Sequence, residues 1–331
     1  MHRQQQIQTW LAKLFPGSPI VLAPASADAS FRRYFRYTQP DGSTRIIMDA
    51  PPQHEDIAPW LAVQRELHQA GVHVPAVEAE DLQQGFLLLS DLGTSTYLDM
   101  LNPGNANALY TDALSALVAI QKIQRPAGLP EYDAALLRRE LELFPEWFLL
   151  KHHQLVLTDE EQTNLSALFD RIIARNLAEA QVFVHRDYHS RNLMLAAPNP
   201  GVIDFQDAVW GPMSYDAVSL LKDAYIQWDE AQTLDWLIRY WERARAQGVN
   251  MPADFSEFFA NYEWMGVQRH LKILGIFARL FHRDGKDGYL KELPRVMGYL
   301  RKACERYREL QALWQLLDRV EKRTAQVGYS F

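Results

Sequence analysis

The chain has 331 residues, 48% of them hydrophobic, enough to build about two domains with substantial cores and too many for a disordered protein. A formal charge of -7 weighs against a protein whose main task is to neutralise nucleic-acid phosphates or anionic lipid. Cys304 is the single cysteine, so neither an intramolecular disulfide nor a cysteine-built zinc site can form; an inert buried thiol in a reducing compartment is expected.

The opening residues MHRQQQIQTWLAKLF set Ile7, Trp10, Leu11 and Leu14 on one helical face, and their glutamines interrupt the continuous apolar run that a signal peptide needs. No window reaches the ~20 apolar residues that cross a bilayer, so a soluble cytoplasmic protein with no membrane or nucleic-acid partner is expected. Short extended runs follow: PIVLAP, FRRYFRYT and TRIIMDA, with Pro40-Asp41-Gly42 as a hairpin turn between the last two. Asp56 to Ala70 reads as a helix closed by Gly71, and VPAVEAE and GFLLLSDLG as two more strands. These first residues form an α+β unit with a small antiparallel sheet.

From Thr94 onward helical spacing dominates, over Asn107 to Ile123, Asp133 to Lys151, Thr158 to Ala180 and Phe255 to His282. Thr158 and Glu161 make a capping box. Met297 to Arg319 reads as one further helix with enough aromatic and apolar residues to pack internally or against a second subunit, internal packing being preferred. One stretch breaks the helical pattern: VFVHRDYHSRNLMLAAPNPGVIDFQDA, Val182 to Ala208. It contains a short strand and then a hairpin, Asn192 to Leu195 against Gly201 to Phe205, with polar residues crowded at the strand ends.

In this stretch Asp187 is followed by Asn192 five positions on, and Asp204 comes twelve after that. Here the chain resembles the aminoglycoside phosphotransferase branch of the protein-kinase-like superfamily. The resemblance implies an α+β bilobal fold: an N-lobe of sheet plus helix over residues 1–92, and a large, mostly helical C-lobe over 93–331 with the catalytic loop, metal site and substrate pocket. It implies ATP and magnesium as cofactors, Asp187 as the group that orients or accepts the proton of an attacking hydroxyl, and Asn192 and Asp204 as the metal ligands. His185 becomes a packing and hydrogen-bonding brace. Asp216, in GPMSYDAVSLL, starts a helix and braces the catalytic loop, or serves as an ordinary N-cap, and one residue can do both.

Two departures from protein kinases narrow the substrate. His189 stands where serine/threonine kinases usually carry a lysine, which argues for a small-molecule acceptor. Only eleven residues separate Asp204 from Asp216, too few for a phosphorylatable activation segment.

On the nucleotide side the chain departs from the family. ASADASFRRYF has no glycine, so Ala27, Ala29 and Ser30 must let the backbone approach the phosphates, and the third strand offers Met48 and Asp49 where the family has lysine. Either Arg33 or Arg36 on the second strand is the replacement cation, unless the pair forms a solvated basic face. Glu66 is the candidate for the helix glutamate. Backbone groups at Ser90, Asp91 and Leu92 match the family's adenine-binding hinge.

In YEWMGVQRHLKILGIFARLFHR, Arg269, Lys272 and Arg279 share one sector with Ile276, as a cleft-lining or a solvent-facing stripe. The combination of DASFRRYFR, IIMDAPP, LLLSDLG, HRDYHSRNLM, IDFQDA and QRHLKILGIFARL is similar to a bacterial subgroup of the family, the anomeric kinases of N-acetylmuramate and N-acetylglucosamine in cell-wall recycling. That resemblance implies an amino-sugar substrate phosphorylated at C1, with His189, Arg269 and Lys272 on the substrate side, the basic stripe facing the lactyl carboxylate. No obligate protein partner is implied. The competing readings are an aminoglycoside or choline-type kinase, and a catalytically inactive nucleotide-binding module.

Overall fold

The structure is a computed structural model that describes residues 2–27 and 31–322. Ala29 and Ser30 lie outside the described residues. The elements run α1 (His2–Leu14), β1 (Leu22–Ala27), β2 (Arg33–Thr38), β3 (Thr44–Asp49), α2 (Ala58–Gln69), β4 (Val77–Asp81), β5 (Phe86–Ser90), α3 (Tyr97–Met100), α4 (Ala106–Gln121) and α5 (Ala134–Leu141). A π-helix, Phe144–His152, precedes α6 (Asp159–Leu177), β6 (Gln181–Val184), β7 (Leu193–Met194), β8 (Gly201–Val202) and β9 (Val209–Pro212). Then come α7 (Tyr215–Leu221), α8 (Glu230–Ala246), α9 (Phe255–Asp284), α10 (Leu293–Arg306) and α11 (Gln311–Glu321).

The chain folds as two compact units, residues 1–102 with 192–207, and residues 103–191 with 208–331. The boundary expected after residue 92 falls inside the first of them.

The first unit is built on an antiparallel sheet of order β1-β2-β3-β5-β4. Helical spacing turns Ile7, Trp10 and Leu11 of α1 onto one face of it, where they meet Tyr37, Ile47, Phe86 and Leu88. The hairpin turn between β2 and β3 closes as its sequence predicts: Gly42 has φ +84°, and Asp41 Oδ1 accepts the Ser43 N–H at 2.9 Å. At Gly85, φ is +71° and an added Cβ would lie 1.9 Å from the Ala50 carbonyl oxygen, so only glycine lets these two backbones meet. The hairpin β7–β8 belongs to this unit through backbone bonds, Leu195 N–H to Ser95 at 2.9 Å and Val202 N–H to His73 at 2.7 Å. Trp60 of α2 packs on Phe205, ring centroids 5.0 Å apart.

The second unit is helical apart from the β6–β9 pair. The capping box forms, Thr158 and Glu161 each holding the other's backbone N–H. Two expected helices are interrupted. Asp133 to Lys151 divides into α5 and the π-helix, whose first turn holds Pro145; proline has no N–H to continue the α ladder. Met297 to Arg319 divides into α10 and α11 at Tyr307, whose backbone is extended. Unbroken, it would run about 35 Å in one line. Broken, it turns Leu300 of α10 and Leu313, Leu316 and Leu317 of α11 into buried positions. Cys304 is buried, and that burial pushes its thiol up to about 12, out of reach of ordinary thiolate chemistry.

Within the second unit, α9 is buried along most of Tyr262 to Ala278. It approaches Leu143 so closely at Gly275 that a Cβ there would sit 2.5 Å from the Leu143 carbonyl carbon. Among the described residues no helix is long and apolar enough to cross a membrane.

Candidate functional site

In the second unit, β6 leads from buried Val182, Phe183 and Val184 directly into the His-Arg-Asp run. His185 is fully buried; its Nδ1 accepts the Asp187 N–H at 3.3 Å and its ring meets Tyr188 edge-on. Asp216 accepts two backbone N–H groups from this loop, those of His185 at 2.7 Å and Arg186 at 3.0 Å. It does not cap its helix: Ser214 occupies the N-cap of α7, leaving both Asp216 oxygens for the loop. Burial pushes the Asp216 carboxyl up to about 7, against the pull of both donors and of Arg269.

Arg186 has φ +75°, a conformation that L side chains avoid, and it is held at three points. Its N–H goes to Asp216, its carbonyl accepts from Arg269 Nη1 at 2.9 Å, and its Nη2 donates to Glu140 Oε1 at 2.7 Å. Glu140, near the end of α5, is buried, and the same Oε1 lies 3.0 Å from Lys272 Nζ. The Tyr132 hydroxyl donates to Glu140 Oε2. Burial would raise the Glu140 carboxyl, but Lys272 and Arg186 bring it below its usual range.

Arg269 and Lys272, expected on the substrate side, are 4% and 7% exposed. Both donate to the Tyr215 hydroxyl at 3.0 Å. They therefore form no solvent-facing stripe; the inward side of α9 spends its charge on the loop and on Glu140. Arg279 is half-buried.

The Asp187 side chain is 40% exposed, with Arg269 Nη2 4.0 Å from Oδ1. Partial burial pushes its carboxyl up, but Lys272, Arg269, His189 and Arg186 outweigh that and bring it down to about 2. At neutral pH it is a carboxylate with acceptor capacity only. The His189 ring stands edge-on to Tyr225 at 5.4 Å, its buried Nδ1 has no hydrogen-bond partner among the described residues, and burial pulls its imidazole below the usual value.

In the first unit, Asn192 and Asp204 face each other across the ends of the hairpin. Asn192 Nδ2 donates to Asp204 Oδ2 at 3.1 Å, and the Ile203 N–H donates to the Asn192 carbonyl at 3.1 Å. Asp204 is exposed with φ +63°, and its Oδ1 accepts from Gln206 Nε2 at 2.9 Å. An amide and a carboxylate, both hard oxygen donors, suit magnesium, which takes one or two protein carboxylates and fills its remaining positions with water and phosphate. Among the described residues no group of three or more His, Cys, Asp or Glu forms a closed metal cage.

The nucleotide-side candidates of this unit are engaged with carboxylates. Arg33 Nε donates to Asp49 Oδ2 at 3.1 Å, and Arg3 of α1 donates to Oδ1 at 3.0 Å. Asp49, which stands where a lysine was sought, thus gathers two arginines while fully buried. Arg36 makes a two-pronged pair with Asp91, at 2.5 and 3.0 Å, and also donates to the Gly93 carbonyl at 3.0 Å. The Ser90 N–H donates to the Ala76 carbonyl at 2.9 Å, its Oγ accepts the Ala76 N–H at 2.8 Å, and Leu92 is buried. Glu66 is half-buried on α2.

Tyr132, Glu140 and Tyr215 are not marked by any motif or spacing in the sequence. Glu140 lies in RRELELF, one of several charged residues on an amphipathic helix, and nothing in that spacing marks it as the buried one. Tyr215 is adjacent to Asp216, the one clue available.

Residues 21–249 match the model of the phosphotransferase enzyme family. The N-acetylmuramate/N-acetylglucosamine kinase of Pseudomonas aeruginosa is 49% identical over 325 residues, covering 95% of this chain and 96% of that protein. The enzyme of that name from Neisseria meningitidis serogroup B is 46% identical over the full length of both chains. Among solved structures, the ADP-bound aminoglycoside phosphotransferase APH(2'')-Ib superposes with a TM-score of 0.57 at 14% identity, over 88% of this chain and 96% of its own. That likeness is one of fold: the chain has the α+β, protein-kinase-like fold.

Proposed function

The chain belongs to the phosphotransferase enzyme family, and from that premise we propose that it transfers the γ-phosphoryl group of ATP to the anomeric C1 hydroxyl of N-acetylmuramate or N-acetylglucosamine. The C1 oxygen bonds to the γ-phosphorus as the bond to the bridging oxygen of ADP breaks, and the hydroxyl proton passes to the Asp187 carboxylate. The products are the sugar 1-phosphate and ADP, formed in the cytoplasm where ATP is supplied. The observation that carries the substrate is the kinship, near half identity across the whole length, with enzymes bearing that name.

Asp187 suits the acceptor side because it is ionised and partly open to solvent. A carboxylate held near 2 is a weak base, so its first service is to orient the hydroxyl; it takes the proton late, as bonding to phosphorus proceeds. Phosphoryl transfer leaves little covalent work for the protein and depends on positioning and charge stabilisation. Asn192 and Asp204 would hold magnesium, which when bound neutralises charge on the nucleotide phosphates. Asp216 and His185 keep the loop in place. Arg36, through Asp91 and Gly93, holds the segment whose backbone at Ser90, Asp91 and Leu92 would receive adenine. Arg33, half-exposed beside Asp49, remains the phosphate-side cation, and Ser30 and His189 keep the roles of phosphate and substrate contact.

Phosphorus NMR of the purified protein with ATP, magnesium and each of N-acetylmuramate, N-acetylglucosamine, an aminoglycoside and choline tests this reading. A sugar 1-phosphate resonance with the first two acceptors alone is the expected result; turnover of choline or the aminoglycoside in their place overturns the substrate, and no turnover with any acceptor overturns the enzyme.

A further inference from the structure

The three-point hold on Arg186 fixes the residue before Asp187 at its N–H, its carbonyl and its guanidinium. Two of the three holds are reasonable parts of any loop. The third draws on Glu140, 46 residues away on α5, and on the cations that Glu140 gathers. Three buried or half-buried cations, Arg186, Arg269 and Lys272, surround this one carboxylate and Asp187. Such a cluster is a poor device for stability, since apolar side chains of similar volume often stabilise as well or better. Its geometry has a different consequence. Glu140 Oε1 holds both Arg186 Nη2, at 2.7 Å, and Lys272 Nζ, at 3.0 Å, and so fixes two of the cations whose charge acts on Asp187.

We propose that Glu140 is a positioning residue for Asp187: through Arg186 it sets the backbone that presents the carboxylate, and it fixes the Lys272 ammonium on its own oxygen. The Tyr132 hydroxyl holds the second Glu140 oxygen and so fixes the rotation of that carboxylate. This rests on Asp187 serving the acceptor hydroxyl, as proposed above. Arg269 and Lys272 then act on Asp187 from the protein side rather than by meeting a substrate anion.

In Glu140→Gln the shape is kept and the charge removed, so Lys272 and Arg186 lose the counter-ion that fixes them. The expected result is a fall in kcat of about tenfold to a hundredfold, with the KM for ATP and the sugar within about twofold of the parent value. Glu140→Asp, which restores the charge, recovers part of the loss, and Tyr132→Phe loses about threefold. A role in folding alone lowers the melting temperature without this kcat–KM split and without rescue by aspartate. Parent kcat in a folded Glu140→Gln overturns the proposal; if that variant does not fold, parent kcat in Tyr132→Phe overturns it. Asp187→Asn, assayed beside them, separates the two levels: if it is inactive while the Glu140 and Tyr132 variants are unchanged, the positioning role falls and the phosphotransfer reading stands. If Asp187→Asn is itself fully active, both fall.

Discussion

Asp216 accepts the His185 N–H at 2.7 Å, and its second oxygen accepts the next one, of Arg186, at 3.0 Å. The first turn of α7 thereby determines where β6 delivers the loop. Asp216→Asn replaces one acceptor oxygen by an N–H2 group facing a donor. A loss of about 1–3 kcal/mol in urea unfolding is expected, together with a lower kcat. Unchanged stability in that variant means the loop is held by other contacts.

Glu179 secures the start of the same helix: Ser214 donates its N–H at 3.1 Å and its hydroxyl at 2.9 Å to the two carboxylate oxygens. Burial pushes the Glu179 carboxyl up to about 8, above its unfolded value. A group raised in this way contributes stability that is complete below the unfolded value, ~4.3, and is lost as the pH rises through the folded one. The melting temperature is therefore expected to fall from about pH 4 to about pH 8 and to level off above that, with Glu179 responsible for on the order of a few kcal/mol. Glu179→Gln, neutral at every pH, removes that share of the decline; calorimetry across the range checks it, and an identical slope in the variant contradicts it.

Gly275 puts α9 in contact with the backbone at Leu143, and an added Cβ would lie 2.5 Å from the carbonyl carbon. Alanine improves helix propensity by about 1 kcal/mol, yet overpacking against rigid backbone costs about 1–3 kcal/mol. Gly275→Ala is expected to be net destabilising and, because α9 carries Arg269 and Lys272, to lower kcat as well. Thermal unfolding and a kinetic assay of the folded variant measure both.

Asp204 offers a carboxylate beside the Asn192 amide on the hairpin. Asp204→Asn keeps the hydrogen-bonding shape and removes the charge that a divalent ion needs. The magnesium concentration for half-maximal turnover is expected to rise about tenfold or more, and calorimetric titration of magnesium with ADP should weaken in parallel. An unchanged magnesium dependence contradicts the assignment.

The elements of the first unit were readable because strand alternation, the Asp41-Gly42 turn and the α1 stripe are local signals. The His185–Asp187 run and the Asn192–Asp204 pair were each singled out because their polar residues stand close together in sequence. Their supports were not. Glu140, Tyr132 and Tyr215 reach the loop by tertiary packing, and no spacing rule connects Arg186 to a glutamate on α5. The charge of Arg269 and Lys272 was visible on α9, but its direction was not: helical periodicity places them in one sector without saying whether that sector meets solvent, substrate or a buried acid. The break at Tyr307 carries neither glycine nor proline, so nothing local announced it.

Asp187 is the residue on which the account turns. In a single-turnover experiment with excess enzyme, ATP, magnesium and N-acetylmuramate, Asp187→Asn is expected to slow formation of the sugar 1-phosphate by about 10²–10⁴-fold while ADP binds as tightly as to the parent. A rate within a few-fold of the parent would contradict the account.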